Sequence, residues 1–78
     1  MIHELDILGK YYTQIINNNK HFELRRDRGF CVGDSILLKE LCADGIGYTK
    51  RELTKTIKYI SRDVPQYGLM DGFVILSI

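Results

Sequence analysis

The sequence predicts a mainly β domain, α+β by content, built as a small barrel of about five strands with one helix between the first and second. Three observations carry this. Period-two alternation of apolar and polar residues recurs in several short segments. Only Leu8 to Ile16 has the clear spacing of a helical face. The 78 residues suit one compact unit rather than two. A barrel is the expected closure because it removes the open edges that short antiparallel sheets otherwise leave.

Ile2 to Asp6 carries a weak alternation and reads as the first strand. Leu8, Tyr11, Tyr12, Ile15 and Ile16 then line one face of a helix, with Lys10, Thr13, Gln14 and Asn17 opposite. The helix should stop in Asn17-Asn18-Asn19, since asparagine is the best substitute for glycine where a helix exits through the left-handed conformation. From His21 to Arg25 the alternation is strict, placing Phe22 and Leu24 on a packing face and His21, Glu23 and Arg25 on a displayed one. Turns are expected at Asp27-Arg28-Gly29 and Val32-Gly33-Asp34, the second launching an aliphatic, largely buried strand from Ser35 to Leu41. Ala43 to Gly47 reads as a hairpin loop, and Arg51 to Ser61 as a long strand rich in β-formers, although Leu53, Ile57 and Ile60 also fit a helical spacing. Arg62 to Gly72 lacks any period and precedes a final strand from Phe73 to Ile78, so that after the helix the strands are expected to follow as antiparallel hairpins.

Eleven Lys and Arg against ten Asp and Glu leave a formal charge of +1, so no global basic field draws nucleic acid and any such site must be a local patch. The longest apolar run, Phe73 to Leu76, is far short of the roughly 20 residues that span a bilayer. Met1 and Ile2 are followed at once by His3 and Glu4, without the pattern of a signal peptide, and a cytoplasmic protein is expected. Cys31 and Cys42 form no disulfide framework, and with His3 and His21 they offer no close ligand pair to nucleate a metal site. Free thiols, buried or half-buried, and no metal or cofactor are the expectation. A core of this size yields about 3–5 kcal/mol, so an oligomer or bound ligand would be a natural supplement, though no residue pattern specifies the oligomeric state.

The stretch from Asn18 to Arg25 carries the chemistry, bringing Lys20, Glu23 and Arg25 to the junction of helix and strand. On spacing alone, a structural ion pair on a solvated strand face is the plainer account. Tyr11 and Tyr12 read as core and core-edge residues of the helix, and Lys50, Arg51, Lys55 and Lys58, interrupted by Glu52, as a solvated edge strand.

The same stretch resembles the G-x-K-x-x-E-x-R signature of ASCH domains, with Lys20, Glu23 and Arg25 matching and Asn18 in the glycine position. Phe30-x-Val32-Gly33-Asp34, Tyr48-Thr49-x-Arg51-Glu52-Leu53 and Gly72 to Ile78 extend the likeness over almost the whole chain. Together they resemble a small DUF3850-like subfamily of the ASCH family, within the PUA-like superfamily, that is frequent in phages and prophages.

That resemblance implies a PUA-like pseudobarrel related to RNA-binding modules, with a cleft beside the signature. Lys20 and Arg25 would contact phosphate or base edges, extended by Arg26 and Arg28, while Glu23 would order the cations or accept a hydrogen bond from a base. Tyr48 or Tyr67 would stack on an unpaired base. RNA or a nucleotide-like ligand is thus the expected partner. A second reading is a small hydrolase acting on a modified nucleoside or RNA, with Lys20 as base and Glu23, Glu40 or Glu52 orienting it. In the amidohydrolase branch of the family a threonine stands where this chain has Glu23, which leaves that set of Lys, Thr and Glu incomplete. A third is a phage accessory factor that docks on a host protein, for which no motif speaks.

Overall fold

The computed structural model describes residues 1–78. Strand β1 (Ile2–Ile7) buries His3, Leu5 and Ile7 and turns Ile2 outward. A histidine takes an inward place because the ring donates from Nε2 to Asp34 Oδ2 at 2.8 Å and packs 4.6 Å from the ring of Phe30. Asp34 also pairs with the amino terminus at 3.5 Å, and these contacts, the His3 bond foremost, hold its carboxyl below the usual range.

Helix α1 (Gly9–Ile16) follows the predicted spacing, although only Tyr12 and Ile15 of the apolar stripe are buried. It ends as the asparagines require: Asn17 N–H bonds back to Thr13 O, and Asn18 adopts a φ of 61°.

The remaining strands are β2 (Phe22–Arg26), β3 (Ser35–Leu41), β4 (Tyr48–Thr56), β5 (Tyr59–Ser61) and β6 (Phe73–Ser77). The loop before β6 holds one 3-10 turn, Pro65–Tyr67. The expected long strand from Arg51 to Ser61 is extended at both ends but broken at Ile57-Lys58, where the chain passes from one sheet to the other. Buried Ile57 pins that crossing, donating its N–H to Asp34 O and accepting from Gly33 N–H.

The strands form two three-stranded sheets, β1-β3-β4 and β2-β6-β5, and no closed barrel. Nor do the later strands simply succeed one another as hairpins. β1 pairs with β3 in parallel, from Ile2 opposite Ser35 to Ile7 opposite Glu40, and β2 pairs with the distant β6. Parallel neighbours need a long connection, and here α1 and β2 lie within it, so the second sheet begins before the first is complete. Both sheets and the helix share one core, in which Leu5, Tyr12, Ile15, Ile36, Leu38, Val74 and Leu76 are buried. Cys42 is half-buried as expected, but Cys31 is exposed, because Phe30 beside it takes the inward place in that loop. No helix is long and apolar enough to cross a membrane.

Candidate nucleotide-binding cleft

The segment between α1 and β2 is a fixed turn. Asn19 and Lys20 both donate their N–H groups to Gln14 O, and His21 Nε2 lies 2.8 Å from Asn18 O. Lys20 therefore leaves the backbone at a defined point beside the start of β2.

Within β2 the alternation is real, but its sense is opposite to the expected one. Glu23 is 4% exposed, whereas Phe22 and Leu24 are 48% and 55% exposed. The register agrees, since Glu23 lies opposite Leu76 and Arg25 opposite Val74, two residues with no exposure. An inward carboxylate is tolerable only when paired and hydrogen-bonded, and Glu23 is both. Its Oε1 accepts from Lys20 Nζ, and its Oε2 accepts from Arg25 Nε at 3.0 Å and Nη2 at 2.8 Å. Arg25 Nη2 also donates to Asp6 O at 2.8 Å, tying the edge of the second sheet to β1.

This cluster borders a cleft of about 470 Å³. Lys20, Glu23 and Arg25 share its lining with Asp6, Ile7, Leu8, Tyr11, Phe22 and Leu24. The Lys20 ammonium donates to Phe22 O at 2.6 Å and lies 4.5 Å and 5.4 Å from the ring centroids of Phe22 and Tyr11. Of its three protons two are engaged, and Arg25 Nη1 has no protein acceptor. The cleft thus offers spare cationic donors and a neighbouring acid, Asp6, between aromatic and aliphatic walls.

The family model for a domain of unknown function, DUF3850, matches residues 2–78. The chain belongs to the DUF3850 family. No curated protein matches it.

In this DUF3850 domain the four-cation cluster expected from the sequence is divided. Arg26 follows Arg25 on a strand and so faces the other way, its guanidinium 4.8 Å from the Phe73 ring. Arg28 reaches Glu4 O at 3.4 Å and stands 5.7 Å from the Phe30 ring. Tyr48 does not border the cleft, but its hydroxyl donates to Asp6 Oδ1 at 2.9 Å, and that bond raises its phenol above the ordinary value. Lys39 Nζ lies over the Tyr48 ring at 4.5 Å, and the hydroxyl bond makes this residue a strut for Asp6 from outside the cleft. Tyr67 lies at a different cleft, beside β5 and the loop that follows it.

Of the carboxylates proposed to orient Lys20, only Glu23 touches it. Glu40 accepts instead from Thr49 Oγ1 at 2.7 Å and from Arg51 Nε and Nη2 at 2.8 and 2.9 Å, which draw its carboxyl down to about 2. Glu52 is exposed on β4. The two histidines and two cysteines do not converge, and no group of three or more His, Cys, Asp or Glu side chains is arranged to hold a metal ion.

Asp6, Tyr11, Phe22 and Leu24 are site residues that the sequence pattern does not single out. One signal was available: five apolar positions crowd into the nine residues from Leu8 to Ile16, more than so short a helix buries on one side, and the surplus includes Leu8 and Tyr11, which line the cleft.

Proposed function

We propose that this chain is an ASCH-like, PUA-related module that binds RNA or a nucleotide-like ligand in the cleft beside Lys20, Glu23 and Arg25. One observation carries the reading: Glu23 is buried, is shared by two cations, and holds both at the wall of a cleft with donors to spare. Holding the cations in place before a ligand arrives reduces the ordering cost of binding. The mixture of cationic donors, one neighbouring acid and aromatic walls suits a nucleobase with its attached phosphate better than an isolated anion. Arg25 would supply a planar fork to a base edge or phosphate and Lys20 a point charge, while Tyr11 and Phe22 flank the base. The PUA-like relationship is supported by the signature residues and by the order strand, helix, strand ahead of two sheets wrapped on one core. A cytoplasmic, phage-associated setting belongs to the same reading.

The hydrolase alternative requires Lys20 to release its proton and act as base. Its contacts do not set it up for that role, because Nζ is already engaged by the Glu23 carboxylate and the Phe22 carbonyl and lies against two rings. The two readings separate in one experiment. The labelled protein is titrated with mononucleotides, single-stranded RNA and duplex RNA while amide shifts and the ligand's own resonances are followed. Shifts centred on Lys20 to Arg25 with an unaltered ligand are expected. Conversion of the ligand, abolished by Lys20→Ala, would replace binding with catalysis. No response on either channel would return the cluster to a structural role and leave docking on a host protein as the next function to test.

A further inference from the structure

The inverted alternation of β2 has a counterpart across the whole second sheet. Residues directly opposite one another in a sheet project to the same side, so the register assigns each face. Phe22 is opposite Ser77, which is opposite Tyr59; Leu24 is opposite Ile75, which is opposite Ser61; and Arg26 is opposite Phe73. The inward face carries Glu23, Arg25, Val74, Leu76 and Ile60. The outward face therefore carries three aromatic and two aliphatic residues with two serines and one cation, Arg26, and has no carboxylate. Its aromatic rings carry cations: Lys20 lies over Phe22 at 4.5 Å and Arg26 over Phe73 at 4.8 Å.

This face also joins two clefts. At the β2 edge, Phe22 and Leu24 line the cleft that contains Lys20 and Arg25. At the β5 edge, Tyr59, Ser61 and Ile75 line a second cleft of about 350 Å³, closed by Arg62, Tyr67 and neighbouring loop residues. Tyr59 and Tyr67 are 63% and 83% exposed.

We propose that the outer face of the β2-β6-β5 sheet is a stacking platform for single-stranded RNA, which runs from the Lys20–Arg25 cleft across the sheet to Tyr59 and Tyr67. The inference rests on the cleft reading above and extends it from one nucleotide to several. Cations laid over rings, on a face that itself carries no carboxylate because Glu23, the partner of Lys20, belongs to the opposite face, match a strand that presents flat bases and a negative backbone. The open, slightly twisted face of a sheet accepts splayed bases and excludes a duplex, whose bases are stacked on one another.

The test compares a mononucleotide with single-stranded RNA of about six nucleotides, by fluorescence anisotropy of the labelled RNA and competition by the mononucleotide. It uses wild-type protein, Lys20→Ala and the pair Tyr59→Ala with Tyr67→Ala. Because both tyrosines are exposed, their removal leaves the fold intact, which amide spectra verify. The oligonucleotide should bind at least about tenfold more tightly than the mononucleotide, since each stacked base contributes about 1–3 kcal/mol. The tyrosine pair should lose that advantage while binding the mononucleotide as wild type does. Equal affinities for the two ligands, an oligonucleotide affinity indifferent to the tyrosines, or equal competition by duplex RNA would overturn the platform. So would a concentration-dependent dimer that disappears in the tyrosine variant without any change in RNA binding, because the face would then serve a second copy of the chain. Sensitivity to the tyrosines combined with indifference to Lys20→Ala would overturn the route from the cleft, and the cleft reading with it, leaving stacking at the β5 edge alone.

Discussion

Two carboxylates are buried in this chain, Glu23 in β2 and Glu40 in β3, and each is held by an arginine. Glu40 finds its partners, Thr49 and Arg51, across a single hairpin, at the point where the β3–β4 register shifts between Lys39 and Leu41. Arg51 meets both of its oxygens, lies 5.0 Å from the Tyr12 ring, and is absent from the lining of the cleft that Glu40 borders. Glu23 gathers cations from two places, the exit of α1 and its own strand, and through Arg25 it reaches β1 as well. Both of its cations line the cleft. The same ion-pair chemistry thus closes a hairpin in one region and holds donors at a cavity wall in the other. What separates a clamp from a site is where the partner's remaining donors point.

Several measurements would break or sharpen that contrast. The largest effect is expected on binding: replacing Lys20 and Arg25 together by alanine should weaken RNA binding by about a hundredfold or more, since each charged contact contributes about 1.5–3 kcal/mol. Arg51→Ala should leave RNA affinity unchanged. Equal losses in both proteins, measured with one labelled RNA, would erase the distinction between site and clamp.

Next in size is the stability carried by the Glu23 cluster. Glu23→Ala strands two half-buried cations against each other and should cost about 2–3 kcal/mol, read as a lower urea midpoint. Unchanged stability would mean that solvent reaches Lys20 and Arg25 freely.

Acid should distinguish the Glu40 clamp. Its carboxyl falls from an ordinary 4.5 to about 2 on folding, so the folded state holds the proton less tightly than the unfolded chain. The stability this contributes is complete above the unfolded value and is lost as pH falls from about 4.5 towards about 2. Asp34 and Asp44 are also lowered and act in the same direction. Urea midpoints across this range should therefore fall less steeply in Glu40→Gln than in wild type. Identical slopes would show that Arg51 does not hold Glu40 in solution.

The smallest effect concerns Gly9, where an added Cβ would come within 3.2 Å of Glu40 Oε2. Alanine is favoured over glycine by about 0.5–1 kcal/mol in a helix interior and by less at a first helical position such as this one, but a carboxylate fixed by three hydrogen bonds has little room to retreat. Gly9→Ala should be slightly destabilising in wild type and stabilising in a Glu40→Ala background. The same sign in both proteins would mean that the clamp yields readily.

Much of this was legible along the chain. α1, β3 and β6 lie within a residue or so of their expected bounds, α1 by its helical spacing and the two strands by their dense aliphatic runs, because each packs on the one core. Asn18 marks the helix exit and lends the signature its left-handed turn. The reading failed where a polar residue found its partner outside the local pattern. His3 is turned inward by Asp34, and Arg51, read as part of a solvated edge strand, does lie exposed on an edge strand but is also bound to Glu40. In β2, the alternation implied two unlike faces but not that the charged one points inward, since that depends on whether two cations neutralise Glu23.

By itself the sequence determined where the helix and most strands and turns lie, though not the break at Ile57-Lys58, and that Lys20, Glu23 and Arg25 are neighbours, because these follow from side-chain spacing over a few residues. Only the tertiary structure decided that β1 runs parallel to β3, that the strands form two sheets, and that Phe22 and Leu24 face outward beside a cleft. Pairing and facing are settled by which distant surfaces can bury one another with every charge matched. No local period records that.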